Sequence, residues 1–327
     1  TALTLQGKID SMTTGADLLL TAQNNDGSFD WKNDGNPNTP GPMNTQGATG
    51  RGLVSAYNVT GVQTYLDAAN EVASYIVDNS TGYHNKDIEF LFELAAAGGD
   101  DYTANATDQA VSYINEKITE EGTTLTGAEA VRSRYLNYDW TASGPSGTMD
   151  GLKLWMLGEW GHVGQLLGDT EIYDGYTGTD MANEMGSLLL DDYTNDIWDP
   201  SAEELDSRAT LGYVGIVEAT AFGDQGNYGT SEDDVLAELM GRDLGGWQDT
   251  GYSTYAASLY GLNNGGGDTL SNWIDAGYFD VGVDSYPEPK GEALLGLGAA
   301  PVPEPASMTL LGLGLAGLGF RRFRKRG

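Results

Sequence analysis

Four aspartates stand just ahead of apolar runs that read as helices: Asp87 before Ile88–Ala97, Asp150 before Leu152–Leu167, Asp206 before Thr210–Ala221 and Asp249 before Tyr255–Leu262. A carboxylate in that position has two uses. It can cap its helix, accepting from the unsatisfied N–H groups of the first turn, or it can serve a reacting centre if several helix starts gather at one mouth. Two carboxylates about 5–10 Å apart across a cleft suit glycoside hydrolysis, one as proton donor and the other as base or nucleophile. Glu89 and Glu159 are alternates for those roles. Asp is a leading capping residue, so capping is the simpler assignment for each aspartate.

Aromatic residues form the second constellation. Tyr135, Tyr138, Trp140, Trp155, Trp160 and His162 share one stretch, and Trp247, Tyr252, Tyr255 and Tyr260 another. Sugar rings stack on flat aromatic faces, and Tyr and Trp add a polar handle. Trp140, Trp155, Trp160, Trp247 and Tyr252 are therefore the candidate ligand-binding residues, although aromatics also fill helical cores. His162, near Glu159, suits proton transfer, with a buried structural histidine as the simpler account.

Other chemistries are excluded or weak. The chain has no Cys and only two His, His84 and His162. Disulfide scaffolds, thiolate metal sites and Cys nucleophiles are absent, and a poly-His zinc site has no ligands to build it. No phosphate loop, dinucleotide fingerprint or nucleophile elbow occurs, and no cofactor is evident. Asp26-Gly27-Ser28-Phe29-Asp30 and Asp34-Gly35-Asn36 leave room for a weak Ca²⁺ site. Their spacing does not match the twelve-residue helix–loop–helix site, and an Asp-Gly turn is simpler. The formal charge is −32, from 16 basic and 48 acidic residues. Five of the basic residues crowd the last seven positions, so the remainder is more acidic still. Such a surface repels nucleic acid and anionic lipid and keeps the chain soluble.

The elements that must position these groups are helical. Three-to-four-residue apolar spacing marks Met12–Ala22, Gly52–Val59, Tyr65–Val77, Ile88–Ala97, Ala106–Ile118, Leu152–Leu167, Met181–Leu190, Thr210–Ala221, Val235–Met240 and Tyr255–Leu262. Alternating strand patterns are scarce. A loose repeat joins the helices: an apolar run ends in a Gly turn, Asp or Ser/Thr follows, and the next helix begins. It is seen at Thr60-Gly61, Gly98-Gly99-Asp100, Gly168-Asp169, Gly223-Asp224 and Gly265-Gly266-Gly267-Asp268. Such hairpins stack as a solenoid or close into a ring. The expectation is an all-α fold, an α/α toroid or (α/α) barrel, over residues 1–290.

Two segments add a likeness. Gln23-Asn24-Asn25-Asp26-Gly27-Ser28-Phe29 closes one helix, and Asp249-Thr250-Gly251-Tyr252 leads toward Ala256 in another. They resemble turns and inner-helix starts of the α/α-toroid proteins related to terpene cyclases, protein prenyltransferases and thioester-containing complement domains. The resemblance implies a ring of paired helices and carries fold information only. Asp191-Asp192 falls short of the acidic motif of the cyclases.

The C-terminus has its own logic. Val302-Pro303-Glu304-Pro305 precedes 15 uncharged residues, Ala306–Phe320, and then Arg321-Arg322-Phe323-Arg324-Lys325-Arg326. As a helix the middle segment spans roughly 22 Å, short of the ~30 Å hydrocarbon core. The basic cluster would stay cytoplasmic. This order resembles the PEP-CTERM signal of Gram-negative bacteria. The resemblance implies an exosortase as partner, transient inner-membrane insertion of a short C-terminal helix, and export to the cell surface or extracellular matrix, where such proteins accompany exopolysaccharide and biofilm. Residues 291–301 read as a linker and 302–327 as the signal. No leader is visible at Thr1-Ala2-Leu3, which is expected if numbering begins after its removal. Two functions follow as expectations: a non-catalytic surface protein binding exopolysaccharide or itself, or a secreted glycosidase or polysaccharide lyase with paired carboxylates.

Overall fold

The computed structural model describes residues 3–80, 82–122, 124–137, 150–194, 212–219, 266–277, 282, 285–300 and 302. Among these residues the fold is helical, with one small hairpin. The helices are α1 (Leu5–Ala22), α2 (Gln46–Thr60), α3 (Gln63–Asn79), α4 (Asn85–Ala96), α5 (Thr103–Glu121), α6 (Gly127–Leu136), α7 (Asp150–Leu167), α8 (Gly178–Thr194), α9 (212–219), α10 (Gly266–Asp275) and α11 (Pro287–Ala299). The helices expected at Val235–Met240 and Tyr255–Leu262 lie outside the described residues.

Helix boundaries follow local chemistry. The Thr4 hydroxyl accepts from the Gly7 N–H at 3.0 Å and starts α1. Thr126 and Glu129 form a reciprocal capping box on α6. α2 ends where Gly61 turns left-handed at φ 71°, and its N–H returns to the Tyr57 carbonyl. Asp174 and Gly175, both at positive φ, turn an antiparallel hairpin of β1 (Glu171–Tyr173) and β2 (Tyr176–Thr177). Sequence periodicity gave no hint of this hairpin, because strands of three and two residues are too short to show alternation.

Two kinds of helix emerge from the burial pattern. α3 and α5 bury one stripe, the usual state of a helix on a protein surface. α2, α4 and α11 are buried on nearly all sides, polar positions included. α11 packs on α2, α2 on α4, and α4 on α7, while 212–219 lies against α7, so these five helices make an inner arc. α1, α3, α5 and α8 pack outside it. Glycines permit the closest approaches. A Cβ on Gly52 would sit 2.5 Å from the Gly291 Cα, and one on Gly158 would sit 2.3 Å from the Gly215 carbonyl oxygen. The high Gly content therefore serves helix faces as well as turns.

One boundary differs from expectation. Residues 291–299, read as a linker, are the C-terminal part of α11. Ala293, Leu294 and Leu297 are fully buried, and Lys8 Nζ donates to the Gly298 and Ala300 carbonyls at 2.6 and 2.8 Å. Small, flexible-looking residues here give helices room to meet, and the folded body runs to Ala300. Val302 still packs partly against the core.

Candidate functional site

The first turns of α2, α4 and α11 lie at one end of the bundle. The backbone of Lys86 and Asp87 in α4 crosses Gly47 at the start of α2. Lys86 Nζ reaches from α4 to Glu292 Oε1 at 2.9 Å and Glu288 Oε1 at 3.3 Å on α11. Gln46, first in α2, ties back to Phe29 through the Phe29 N–H and carbonyl. This end is the mouth, and positive helix ends converge there.

Just inside the mouth is a buried charged cluster. Arg51 of α2 donates through Nη1 to Glu89 Oε2 at 2.5 Å, and through Nε and Nη2 to Glu93 at 2.8–3.1 Å. The second Glu89 oxygen meets His162 Nδ1 of α7 at 2.7 Å. Asn85 Nδ2 donates to Glu159 Oε2. Lys86 Nζ lies 4.0 Å from the ring centre of Trp155. Glu218, on 212–219, joins the same field. Asp87, Glu89, Glu159, Glu218 and Glu292 are each at most 3% exposed. The buried cations that act on them are Arg51 and Lys86. Carboxylates outnumber cations here.

That imbalance sets the protonation states. Burial raises the Asp87 carboxyl to about 7 against the pull of its backbone hydrogen bonds. Burial raises Glu89 to about 7 while Arg51 opposes. Glu159 is pushed well above the carboxylate range by burial and by Glu89, and Glu218 by burial, Glu159 and Glu89. His162 falls to about 3, chiefly through burial and then through Arg51, and so stays neutral. Burial disfavours the Lys86 charge, but Glu292, Glu288 and Glu159 outweigh it and hold its pKa above normal. The cluster keeps neutral carboxylic acids beside a Glu locked to an Arg. Asp87, Glu89, Glu159 and Glu218 are all pushed the same way, toward the protonated form. Among the described residues, Glu159 Oε1 and Glu218 Oε2 have no hydrogen-bond partner.

Beside the cluster opens an aromatic cleft of about 390 Å³. Tyr83 and His84 from the segment before α4, Tyr113 and Lys117 of α5, Arg134 and Tyr135 of α6, and Met156 and Trp160 of α7 line it, with Asn85 at its inner edge. Tyr113 and Trp160 stack at 4.7 Å with planes 7° apart, and the Trp160 indole N–H donates to the Tyr135 hydroxyl at 3.2 Å. Lys117 is neutralised by Glu116 and Glu120 at 2.8 and 3.0 Å. Asn85 lines the cleft while donating to Glu159, so it is the wall between cleft and cluster.

The sequence-derived candidates divide accordingly. Asp87 sits in the first turn of α4, where its Oδ2 accepts from the His84 N–H at 3.0 Å, a capping contact. Asp150 is the first residue of α7. Asp206, Asp249, Trp140, Trp247 and Tyr252 lie outside the described residues. Trp160 lines the cleft, whereas Trp155 packs inward under Lys86. Glu89, Glu159 and His162 meet in the cluster. Arg51, Lys86, Glu218, Tyr83 and Tyr113 were not singled out. A signal existed for Arg51: a lone cation in a Gly- and Ala-rich apolar helix needs a buried partner. Asp26 accepts from the Ser28 N–H and hydroxyl at 3.0 and 2.6 Å and so shapes its own turn. Among the described residues no group of three or more His, Asp or Glu could hold a metal.

Comparison with known proteins locates one feature. Residues 301–325 match the PEP-CTERM protein-sorting motif. No curated protein and no solved structure matches the chain. The motif implies processing by an exosortase and export by a Gram-negative-type pathway to the cell surface. Residues 303–327, and with them Pro303, Glu304, Pro305, Arg321 and Arg322, lie outside the described residues. Among the described residues no helix is long and apolar enough to cross a membrane.

Proposed function

We propose that this exported protein is a non-catalytic saccharide-binding protein of the cell surface or extracellular matrix, and that the aromatic cleft holds its ligand. The observation that carries the reading is the set of Tyr83, Tyr113 and Tyr135 in a cleft sized for a small ligand, with Trp160 buried behind Tyr113 and stacked on it. Aromatic faces bind the apolar faces of sugar rings, and the phenol, Asn and Lys groups around them meet hydroxyls. The strong negative charge favours a neutral exopolysaccharide over an anionic one. The segment Ala306–Phe320 would hold the precursor in the inner membrane until the exosortase acts.

Affinity electrophoresis of the full chain through gels containing dextran, mannan, galactan or β-glucan tests this, with polygalacturonate as the anionic comparison. At least one neutral polymer is expected to retard the wild type, and Tyr113→Ala to remove the retardation while melting as a folded protein. No retardation by any polymer, or an unaffected Tyr113→Ala, overturns the reading.

A second reading, a carbohydrate-active enzyme, draws support from the orphaned oxygens of Glu159 and Glu218. It expects sugar release from a retarding polymer that Glu159→Gln abolishes without abolishing retardation.

A further inference from the structure

We infer that the mouth carries a second sugar platform, Trp31 with Tyr286, and that one neutral glycan strand spans it and the cleft. This rests on the saccharide reading of the cleft. Trp31 is 57% and Tyr286 43% exposed, and their rings meet edge to face at 5.9 Å and 66°. Among the described residues the other large exposed apolar side chains are Leu5 and Val62. These start α1 and follow α2, at the end away from the mouth. Among the described residues, large exposed apolar surface at the mouth is thus concentrated in this pair.

The pair is held rather than dangling. The Asn33 N–H donates to the Ser285 carbonyl at 2.9 Å and joins the two segments. The Asn25 N–H donates to Pro37, Asn24 Nδ2 to Thr39, and the Tyr75 hydroxyl to Gly41, all at 2.7–2.8 Å. A fixed ring loses little entropy on binding.

The setting selects the partner. Trp31 opens a mostly polar loop that carries Lys32, Asn33, Asp34, Asn36, Asn38 and Thr39. A protein interface needs a contiguous apolar core, which two rings in a polar loop do not supply. Two copies of a chain with net charge −32 also repel. A sugar ring needs one flat face with hydrogen-bonding groups around it, and this loop offers both.

Position makes the platform part of the same site. Tyr286 immediately precedes α11 and Tyr83 closely precedes α4, and α2 packs against both helices. Lys86 of α4 meets Glu292 and Glu288 of α11 at 2.9 and 3.3 Å, so the two helix starts stand side by side at the mouth. A strand of a few sugar units seated in the cleft therefore extends over the rings ahead of α11.

The test uses the retarding neutral polymer and its own disaccharide with Trp31→Ala, Tyr286→Ala and Tyr113→Ala. Trp31→Ala and Tyr286→Ala are expected to weaken polymer binding about three- to tenfold and to leave disaccharide binding unchanged. Tyr113→Ala should lose both. If Trp31→Ala and Tyr286→Ala bind polymer like wild type while Tyr113→Ala does not, the platform is wrong and the cleft stands. If Tyr113→Ala also binds normally, or nothing binds, both fall. A concentration-dependent dimer in sedimentation that Trp31→Ala abolishes assigns the rings to a second copy and overturns the inference.

Discussion

Two helix starts in this molecule share a design and differ in surroundings. At α8, Asp180 accepts from the Thr177 N–H and hydroxyl at 2.9 and 2.8 Å, in the open, and these hydrogen bonds hold its pKa below normal. At α4, Asp87 accepts from the His84 N–H at 3.0 Å but is 1% exposed, and burial drives its carboxyl up to about 7. The same cap therefore stabilises its ionised acid on the outside and strains it on the inside. Hydrogen bonds to a carboxylate lower its pKa, but loss of water wins when the group is buried. The inner arc has taken on polar groups whose outer counterparts are ordinary caps, and its cations hold that arrangement together.

Arg51 is the cation on which the buried carboxylates of the inner arc depend most. It is 3% exposed and faces Glu89 and Glu93. Arg51→Ala leaves buried carboxylates without their cation, and a loss of about 3–5 kcal/mol is expected in chemical denaturation. Arg51→Met with Glu89→Gln should recover part of it, because the uncompensated charge is gone. A loss below about 1 kcal/mol for Arg51→Ala alone would mean that the inner arc behaves like an exposed surface.

The pH dependence sharpens the same contrast. A carboxyl whose pKa is raised on folding contributes stability that is complete below its unfolded value near 3.8 and lost as pH climbs through about 7. For Asp87 the loss across that window is up to about 4 kcal/mol. Glu89, also raised to about 7, acts in the same direction. His162 acts oppositely. Its pKa is depressed to about 3, so its neutral burial is favourable above about 6.5 and that contribution is lost as pH falls toward 3. The melting temperature is expected to rise as pH drops from about 7.5 to 5. Asp87→Asn, which keeps an acceptor for His84, should flatten that rise. A slope unchanged by Asp87→Asn would place its source elsewhere.

Packing offers a third comparison, between glycines that touch backbone and glycines that touch nothing. Gly52→Ala pushes a methyl against Gly291 of α11 and is expected to cost about 1–3 kcal/mol. Gly82→Ala, with open space around it, should leave the melting temperature unchanged. Equal effects at the two positions would mean that α2 and α11 part easily.

Much of the outer layer was legible in the sequence. Apolar spacing located α3, α5 and α8, and the Gly turns expected at Gly61, Gly98 and Gly168 all adopt positive φ. The inner layer was harder for a physical reason. A helix buried on nearly every side, polar positions included, has no solvent-facing side, so apolar spacing does not mark what it touches. Gly291–Ala299 has few large side chains and reads as loose chain, yet those small residues let α11 lie against α2. Glu89 and Glu159 were recognisable as candidate acids. Their meeting with Arg51 and Glu218 depends on helices far apart in the chain, and no local pattern encodes it. The cleft was hidden likewise: Tyr113 and Trp160 are 47 positions apart and stack only because α5 and α7 converge.

A small effect is expected at the exposed cap. Asp180→Ala removes the acceptor for Thr177 but leaves solvent free to replace it, so the drop in melting temperature should be well below that of Arg51→Ala. Its pH signature has the opposite sign to that of Asp87. A carboxyl held below its unfolded pKa contributes stability above that value and loses it as pH falls, so Asp180→Ala should cost less at pH 3 than at pH 7. Asp87→Asn should instead gain most relative to wild type near pH 7 and least near pH 4. If both variants shift in the same direction across that range, burial does not distinguish the two caps. The contrast between inner and outer helices would then rest on packing alone.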